Sequence, residues 1–403
     1  MAGQRVPAEL FFSAAFNQDP YARYAALREQ GPIHPIEFPK GVPAFLVVDH
    51  EVGRAALSDP RLSKNPAHSA VAVRVEQFFG GTMLGLDPPD HTRLRGLVAK
   101  AFTPRRVEAL RPRVRQIADD LLDAIADQDE TDLIDAFAFP LPIIVICELL
   151  GVPATDRADF REWTAILTVP IASREMSARR RAAAIAFNDY LLGIFAERRR
   201  TPRDDLIGAL LAARDGAARL SDSELLGTIT LLLIAGHETT VNLIGNGVLA
   251  LLSAPDQRKL LTDDPELLPG AIEELLRYDG PVERASQRIA LEDMEIAGTH
   301  VPKGAWVHVS LGAADRDPAA FADPDSLDLT RPDNRHVAFG HGPHYCLGAP
   351  LARLEGQVAI GTLLTRFPRL ALATAPDRLA WKQTGSIVRG LAALPVRLGS
   401  RRM

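Results

Sequence analysis

The sequence predicts a mainly α-helical fold with a small β region, and three observations lead there. Apolar residues recur at helical spacing over eight stretches, strand-like alternation is confined to a few short ones, and one mid-chain stretch is long enough to cross an entire domain. The chain has 403 residues, 47% of them apolar and 24% charged, which suits a large core and argues against disorder. No low-complexity linker, internal repeat or long single-sign charge run offers a place to divide it, so residues 1–403 are read as one domain.

In chain order the helical spacing covers residues 21–30, 89–102, 106–125, 143–150, 179–200, 221–253, 265–278 and 350–367. Strand signals lie at 44–48, 286–290, 294–296 and 306–309 and near the C-terminus, with Pro302-Lys303-Gly304 as a turn. The 221–253 stretch carries the most information. Ser221 and Glu224 form a capping-box pattern, and no proline follows until Pro255. At 1.5 Å per residue such a helix is ~50 Å long, against a radius of gyration of roughly 21 Å for a domain of this length. It must therefore cross the core and be apolar nearly all round. Its middle nevertheless reads Ala235-Gly236-His237-Glu238-Thr239-Thr240, a carboxylate and two hydroxyls where an unpaired charge is costly to bury. These groups need partners or a wet cavity.

Composition excludes several roles. A formal net charge of -5 gives no basic field for a phosphate backbone, so nucleic acid is not an expected partner. The apolar run from Leu225 to Gly236 is shorter than the roughly 20 residues of a membrane span. The N-terminus lacks the pattern of a secretory signal, and with Cys147 and Cys346 as the two cysteines the expected location is the cytoplasm. Basic residues number 46, and Arg far outweighs Lys among them, a bias of GC-rich bacterial genomes. A monomer is expected.

The densest chemistry is Phe339-Gly340-His341-Gly342-Pro343-His344-Tyr345-Cys346-Leu347-Gly348, a Gly-rich loop before a helix starting near Pro350. A cysteine at a helix N-terminus meets free N–H groups and the positive end of the dipole, which stabilise a thiolate and suit it to bind iron. Glycines at 340, 342 and 348 are expected to supply unusual backbone angles and close approach to a flat ligand. An inert buried thiol is the reading kept for Cys147. Zinc on His341, His344 and Cys346 is disfavoured because no fourth ligand accompanies them.

This ten-residue loop resembles the cysteine-loop signature of cytochromes P450, and further matches extend the resemblance over nearly the whole chain. It implies the cytochrome P450 fold, a b-type haem (heme b) with Cys346 as the axial ligand, and Phe339, His344 and Gly348 around it. The haem is not expected to be covalently attached, because no Cys-x-x-Cys-His occurs. Glu274 and Arg277, three residues apart on one helix, resemble the family's buried pair, which Arg331 would join in a structural network. His91 and Arg95, on one side of the helix after Asp87-Pro88-Pro89-Asp90, would hold haem propionates together with Arg288. Ala235 to Thr240 resembles the oxygen-activation motif: Ala235 and Gly236 leave room beside the iron, and Glu238 and Thr239 supply protons to bound oxygen. Thr239 and Thr240 are also expected to bond carbonyls one turn back and to loosen the helix locally.

The resemblance implies a monooxygenase that uses O2 and an apolar small molecule, expected to be a bulky macrolide, terpenoid or steroid-like metabolite. Electrons would come from a ferredoxin and its NAD(P)H-dependent reductase, because nothing here matches a flavin or nicotinamide fingerprint. Arg93 and Lys100 are the candidate docking cations for an acidic ferredoxin. The substrate pocket is expected to include Phe78, Met83, Leu84, Ile234, Ala235, Val282, Ala285 and Ile387. A peroxide-driven enzyme and a non-catalytic haem sensor are the alternatives on the same fold, and the Glu238–Thr239 pair argues against both.

Overall fold

A computed structural model describes residues 6–7, 13–37, 41–71, 82–168, 174–215, 218–382 and 387–399. Its central element is the helix Asp222–Ser253, 32 residues long and so ~48 Å from end to end. It starts where the sequence signal put it. The Ser221 hydroxyl accepts from the Glu224 N–H while the Glu224 carboxylate accepts from the Ser221 N–H, closing the capping box. It ends before Pro255, which opens the next helix, Pro255–Asp263.

The central helix packs against Pro140–Leu150, Leu268–Asp279 and Ala349–Arg366. Glycines let the last two come close. A Cβ at Gly247 would lie 3.1 Å from Ile360 and 3.2 Å from Leu275, and one at Gly356 would lie 3.1 Å from Leu243. Leu243, Ile244, Val248, Leu275 and Ile360 are buried at this crossing, and each such side chain contributes about 1.5–3 kcal/mol of burial.

The β region is small. A five-stranded sheet runs, in spatial order, Ile33–Glu37, Pro43–Val47, Trp306–Val309, Arg288–Ala290 and Leu62–Ser63. Trp306–Val309 lies parallel to Pro43–Val47 and antiparallel to Arg288–Ala290, which carries Arg288 into the molecule. Gly304 takes the positive φ of 78° that the Pro302-Lys303-Gly304 turn requires. Among the described residues, no helix is long and apolar enough to cross a membrane.

Several elements differ from the sequence expectation. The 106–125 helix is two, Pro104–Ala109 and Arg111–Asp123, because Pro112 has no N–H to continue the first ladder and restarts the helix instead. The expected helix at 265–278 begins as a single tighter turn, Pro265–Leu267, before Leu268–Asp279. The helix His50–Ser58 was not foreseen, although Asp49 caps it by accepting from the Val52 N–H at 2.8 Å. Nor was the π-helical turn Ile134–Ala138, which delivers Phe139 to the central helix.

Candidate active site

The cysteine loop is held mainly by its own backbone. Gly340 and Gly342 adopt φ of 73° and 74°, the left-handed region where a side chain is strained. A Cβ on Gly342 would also meet Ser58 Oγ at 2.8 Å and Leu57 O at 2.9 Å, so this glycine lets the loop seat on the His50–Ser58 helix. The Cys346 N–H donates to Phe339 O at 2.9 Å, and the helix Ala349–Arg366 starts three residues on. Gly348 departs from the expectation: its φ is -80°, and the nearest atom to a Cβ there is Cys346 Sγ at 3.8 Å. Its distinction is proximity to the sulfur, not backbone freedom.

Cys346 is exposed, yet desolvation by the surrounding protein pushes its thiol above its ordinary pKa. The N–H groups of Gly348 and Ala349, with Arg95 and Arg353, pull the other way. The helix N-terminus thus acts as expected, but in the protein alone desolvation outweighs it. Cys147 is 1% exposed in the main apolar cluster, where a thiol is a small hydrophobe. The histidines of the loop turn away from the sulfur: the His344 ring packs 4.0 Å from that of His91, and His341 lies near Arg54 and His50.

His91, Arg95, Arg288 and His344 gather on one side of the loop, and Lys64 joins them. Arg95 donates to Tyr345 O at 2.6 Å, and Arg288, 4% exposed, donates to Leu57 O at 3.1 Å. Lys64 is buried and spends its ammonium on Ser286 Oγ, Ser286 O and Gln287 O. Burial and the neighbouring cations lower the basicity of the whole group: His344 falls to about 2, Arg288, through burial, to about 10, and Lys64 well below its ordinary value. The carboxylate that offsets this for Lys64, His91 and Arg288 is Asp87, already engaged by Ser63 Oγ and the Lys64 N–H. His91 Nε2 is buried with no hydrogen-bond partner among the described residues. Such a cluster is built for an anionic ligand. Lys64 carried no sequence signal, since its neighbours meet it only through the fold.

On the central helix, Leu233 and His237 are buried while Ala235 and Gly236 between them are exposed, and no atom lies within 4 Å of a Cβ built on Gly236. The helix therefore borders open space at the expected place. Thr239 Oγ1 donates to Ala235 O at 2.6 Å and Thr240 Oγ1 to Gly236 O at 2.9 Å, yet the helix stays α throughout, so the expected loosening does not occur. His237 donates to Phe139 O at 3.1 Å and meets the Phe139 ring edge-on. Glu238 lies 3.6 Å from Lys382 Nζ. Glu355, from the Ala349–Arg366 helix, is 2% exposed and hydrogen-bonded with Thr240, and burial pushes its carboxyl up to about 8. The argument applied to Glu238, an acid inside an apolar helix, would have found Glu355 in the sequence; Lys382 had no such signal.

Glu274 and Arg277 form a buried bidentate pair with two contacts of 2.7 Å. Arg331 Nε, Asn334 Nδ2 and the Asp328 N–H also donate to Glu274, while Arg277 donates onward to Asp315 O, Pro324 O and Ser326 O. A second pair ties this helix to the one after the loop, with Arg353 bidentate on Glu273 at 2.7 Å and His336 on the same carboxylate. Burial is outweighed there by these partners, which hold Glu273 down at about 2.

The residues expected to line the substrate pocket belong to more than one packing group, and the Val282 and Ile387 segments adjoin through the Val282–Val388 bridge. Met83 is 5% exposed in the main apolar cluster with Leu84 packed against it, whereas Val282 and Ala285 belong to a second cluster under the sheet. Ile234 is half-buried, and Ile387 is exposed but accepts at its carbonyl from the Glu283 N–H. Phe78 lies outside the described residues. Of the two candidate docking cations, Arg93 is partly exposed and paired with Glu224 at the start of the central helix, and Lys100 is exposed.

The chain matches the family model described as cytochrome P450 over residues 157–382. It is 50% identical over 411 residues to cytochrome P450 107B1 of Saccharopolyspora erythraea, covering 99% of this chain and 100% of that one. It is 47% identical to the cytochrome P450 monooxygenase PikC of Streptomyces venezuelae, covering 95% and 92%. Among solved structures, PksS, the cytochrome P450 of the bacillaene polyketide synthase of Bacillus subtilis 168, superposes with a TM-score of 0.91 at 41% identity, covering 96% and 98%.

Proposed function

Because this chain belongs to the cytochrome P450 family, whose members bind haem through a cysteine thiolate, we propose that Cys346 is the axial ligand of a b-type haem. The observation that carries this is an exposed cysteine at the start of a helix, beside a buried cationic cluster whose His91 nitrogen has no partner among the described residues. A flat dianionic cofactor meets both needs. His91, Arg95, Arg288 and His344 would hold its propionates, Lys64 would fix the strand bearing Arg288, and Phe339 and Gly348 would lie against the ring. Glu274, Arg277 and Arg331 brace the fold beneath the loop.

The activity is that of a haem-thiolate monooxygenase. Bound haem supplies the redox chemistry by which one atom of O2 enters the substrate and the other leaves as water, consuming two electrons and two protons. The protein's part is to orient and to move protons. Ala235 and Gly236 leave room for O2 beside the helix. Thr239, anchored on Ala235 O, presents its hydroxyl toward that space, and Glu238 relays protons to it. We further propose that a ferredoxin and its NAD(P)H-dependent reductase supply the electrons in the cytoplasm. The substrate class is a bulky apolar metabolite of polyketide, macrolide, terpenoid or steroid type, a reading supported by the likeness to a polyketide-synthase P450.

Two variants test this. Cys346→Ala should lose the strongly red-shifted carbon monoxide band of the reduced protein, while Cys147→Ala keeps it; the reverse outcome refutes the ligand assignment. A positioned proton donor is worth about 10²–10⁴ in rate. Thr239→Ala should therefore still consume NAD(P)H but release hydrogen peroxide, with product per NAD(P)H down at least about tenfold. Unchanged coupling would remove Thr239 from the relay.

A further inference from the structure

Glu238, Asn242 and Asn246 recur every fourth residue on the central helix, about 6 Å apart along its axis. Their side of the helix meets Lys382, Arg389, Gly390 and Asp279. Lys382 Nζ spans the first turn, 3.6 Å from Glu238 Oε1 and 3.3 Å from Asn242 Oδ1. Asn246 Nδ2 donates to Asp279 O at 3.1 Å and to Arg389 O at 3.3 Å. Both asparagines are nearly fully buried, at 1% and 2% exposure, and each leaves one polar atom without a partner among the described residues: Asn242 Nδ2, a donor, and Asn246 Oδ1, an acceptor. An unmatched donor and an unmatched acceptor on successive turns are complementary. One water accepting from Asn242 and donating to Asn246 satisfies both, and buried orphans of this kind are ordinarily satisfied in that way.

The column leads outward. Asn246, with Leu249 and Ala250 one turn further, lines a polar cleft of about 450 Å³ open to solvent, whose other walls include Tyr21, Asp279 and Arg389. Neither Asn246 nor this cleft touches the cysteine loop.

We propose that the column is the route by which Glu238 exchanges protons with solvent. It rests on the relay role given to Glu238 above and adds where the protons enter. A hydrated proton entering at the cleft passes along water held by Asn246 and Asn242 to the Glu238 carboxylate, and the carboxylate then hands one proton to the Thr239 side. Net, one proton moves inward per event and no bond other than O–H is made or broken. Lys382 is a positioning residue that holds Glu238 Oε1 toward the water. Gly390 lets its backbone pack directly against the Asn242 side chain, since a Cβ there would lie 2.0 Å from Asn242 Oδ1.

The test compares two substitutions at one position in the haem-loaded enzyme. Asn246→Leu fills the path with carbon and should slow turnover about tenfold and raise the solvent isotope effect. Asn246→Ala loses the same protein hydrogen bonds but leaves space for water, and should cost less than about threefold. Equal losses in both variants mean a structural role and overturn the route, as does an Asn246→Leu enzyme that behaves like wild type. Glu238→Gln is the control: if it leaves rate and isotope effect unchanged, the relay role fails and the route with it. If it slows turnover while Asn246→Leu does not, the route alone fails. A crystal structure of the haem-loaded wild type decides independently of activity, and of whether any variant folds. An ordered water on both Asn242 Nδ2 and Asn246 Oδ1 supports the route; two amides paired only with protein overturn it.

Discussion

Two clusters of buried charge in the molecule are built on opposite rules. Around Glu274 and Arg277 every charge is answered: two guanidinium groups, a side-chain amide and a backbone N–H converge on one carboxylate, and the spare Arg277 donors reach carbonyls. Around Arg288 and His91 the cations outnumber the anions, basicity is depressed throughout, and a buried ring nitrogen is left over. In the first cluster the charges are paired within the protein. The second is completed only by something that brings negative charge. Buried charge alone therefore does not mark a site; buried charge with unmet demand does.

The contrast is broken most directly at Glu274. Glu274→Ala strands two buried cations and should cost about 3–5 kcal/mol, read as a large drop in melting temperature and little haem-loaded protein. A variant that melts and loads haem normally would show that the network is dispensable. In the other cluster the expected sign differs. Arg288→Met removes a partly satisfied cation, so the haem-free protein should melt no lower than wild type, while haem retention falls about 10–100-fold, the worth of one charge-assisted hydrogen bond. Transfer of haem to an acceptor protein measures this, and a destabilised variant with normal retention would place Arg288 with the structural cluster instead.

Glu355 sharpens the comparison because it is an intermediate case, a buried carboxyl with a hydroxyl for a partner. Its folded pKa of about 8 lies above the ordinary 4.5. Between those values the folded chain holds a proton that the unfolded chain releases, so the group's contribution is full below pH 4.5 and is lost as pH rises through 8. Wild type should lose stability relative to Glu355→Gln from pH 5.5 to 8, by at most about 1.4 kcal/mol per pH unit. Parallel melting curves across that range would mean that Glu355 is ionised or hydrated in the fold.

What was legible in the sequence had local causes. The cysteine loop is contiguous, Glu274 and Arg277 are one helical turn apart, and the central helix announces itself by its capping box and its freedom from proline. Arg331 was reached through family resemblance alone. What was not legible depends on how distant segments meet. Lys64 joins Ser286 across 222 positions and Lys382 joins Asn242 across 140, and no periodicity encodes either meeting. The pairing of Arg93 with Glu224 was hidden for the same reason, since the two stand 131 positions apart. Gly348 was misjudged because glycine has two uses, backbone freedom and absence of bulk, and the sequence does not say which is in play.

The closeness of Gly390 to Asn242 also limits how this protein can change over generations. A Cβ at position 390 would fall 2.0 Å from the Asn242 amide oxygen, inside any real contact distance. A mutation at 390 therefore meets an obstacle for as long as Asn242 keeps its size and orientation, whereas a smaller residue at 242 removes that obstacle in advance. A side chain at 390 thus requires the Asn242 side chain to turn away or to be smaller. The two positions lie 148 residues apart in the chain, yet what one can hold depends on the size and orientation of the other.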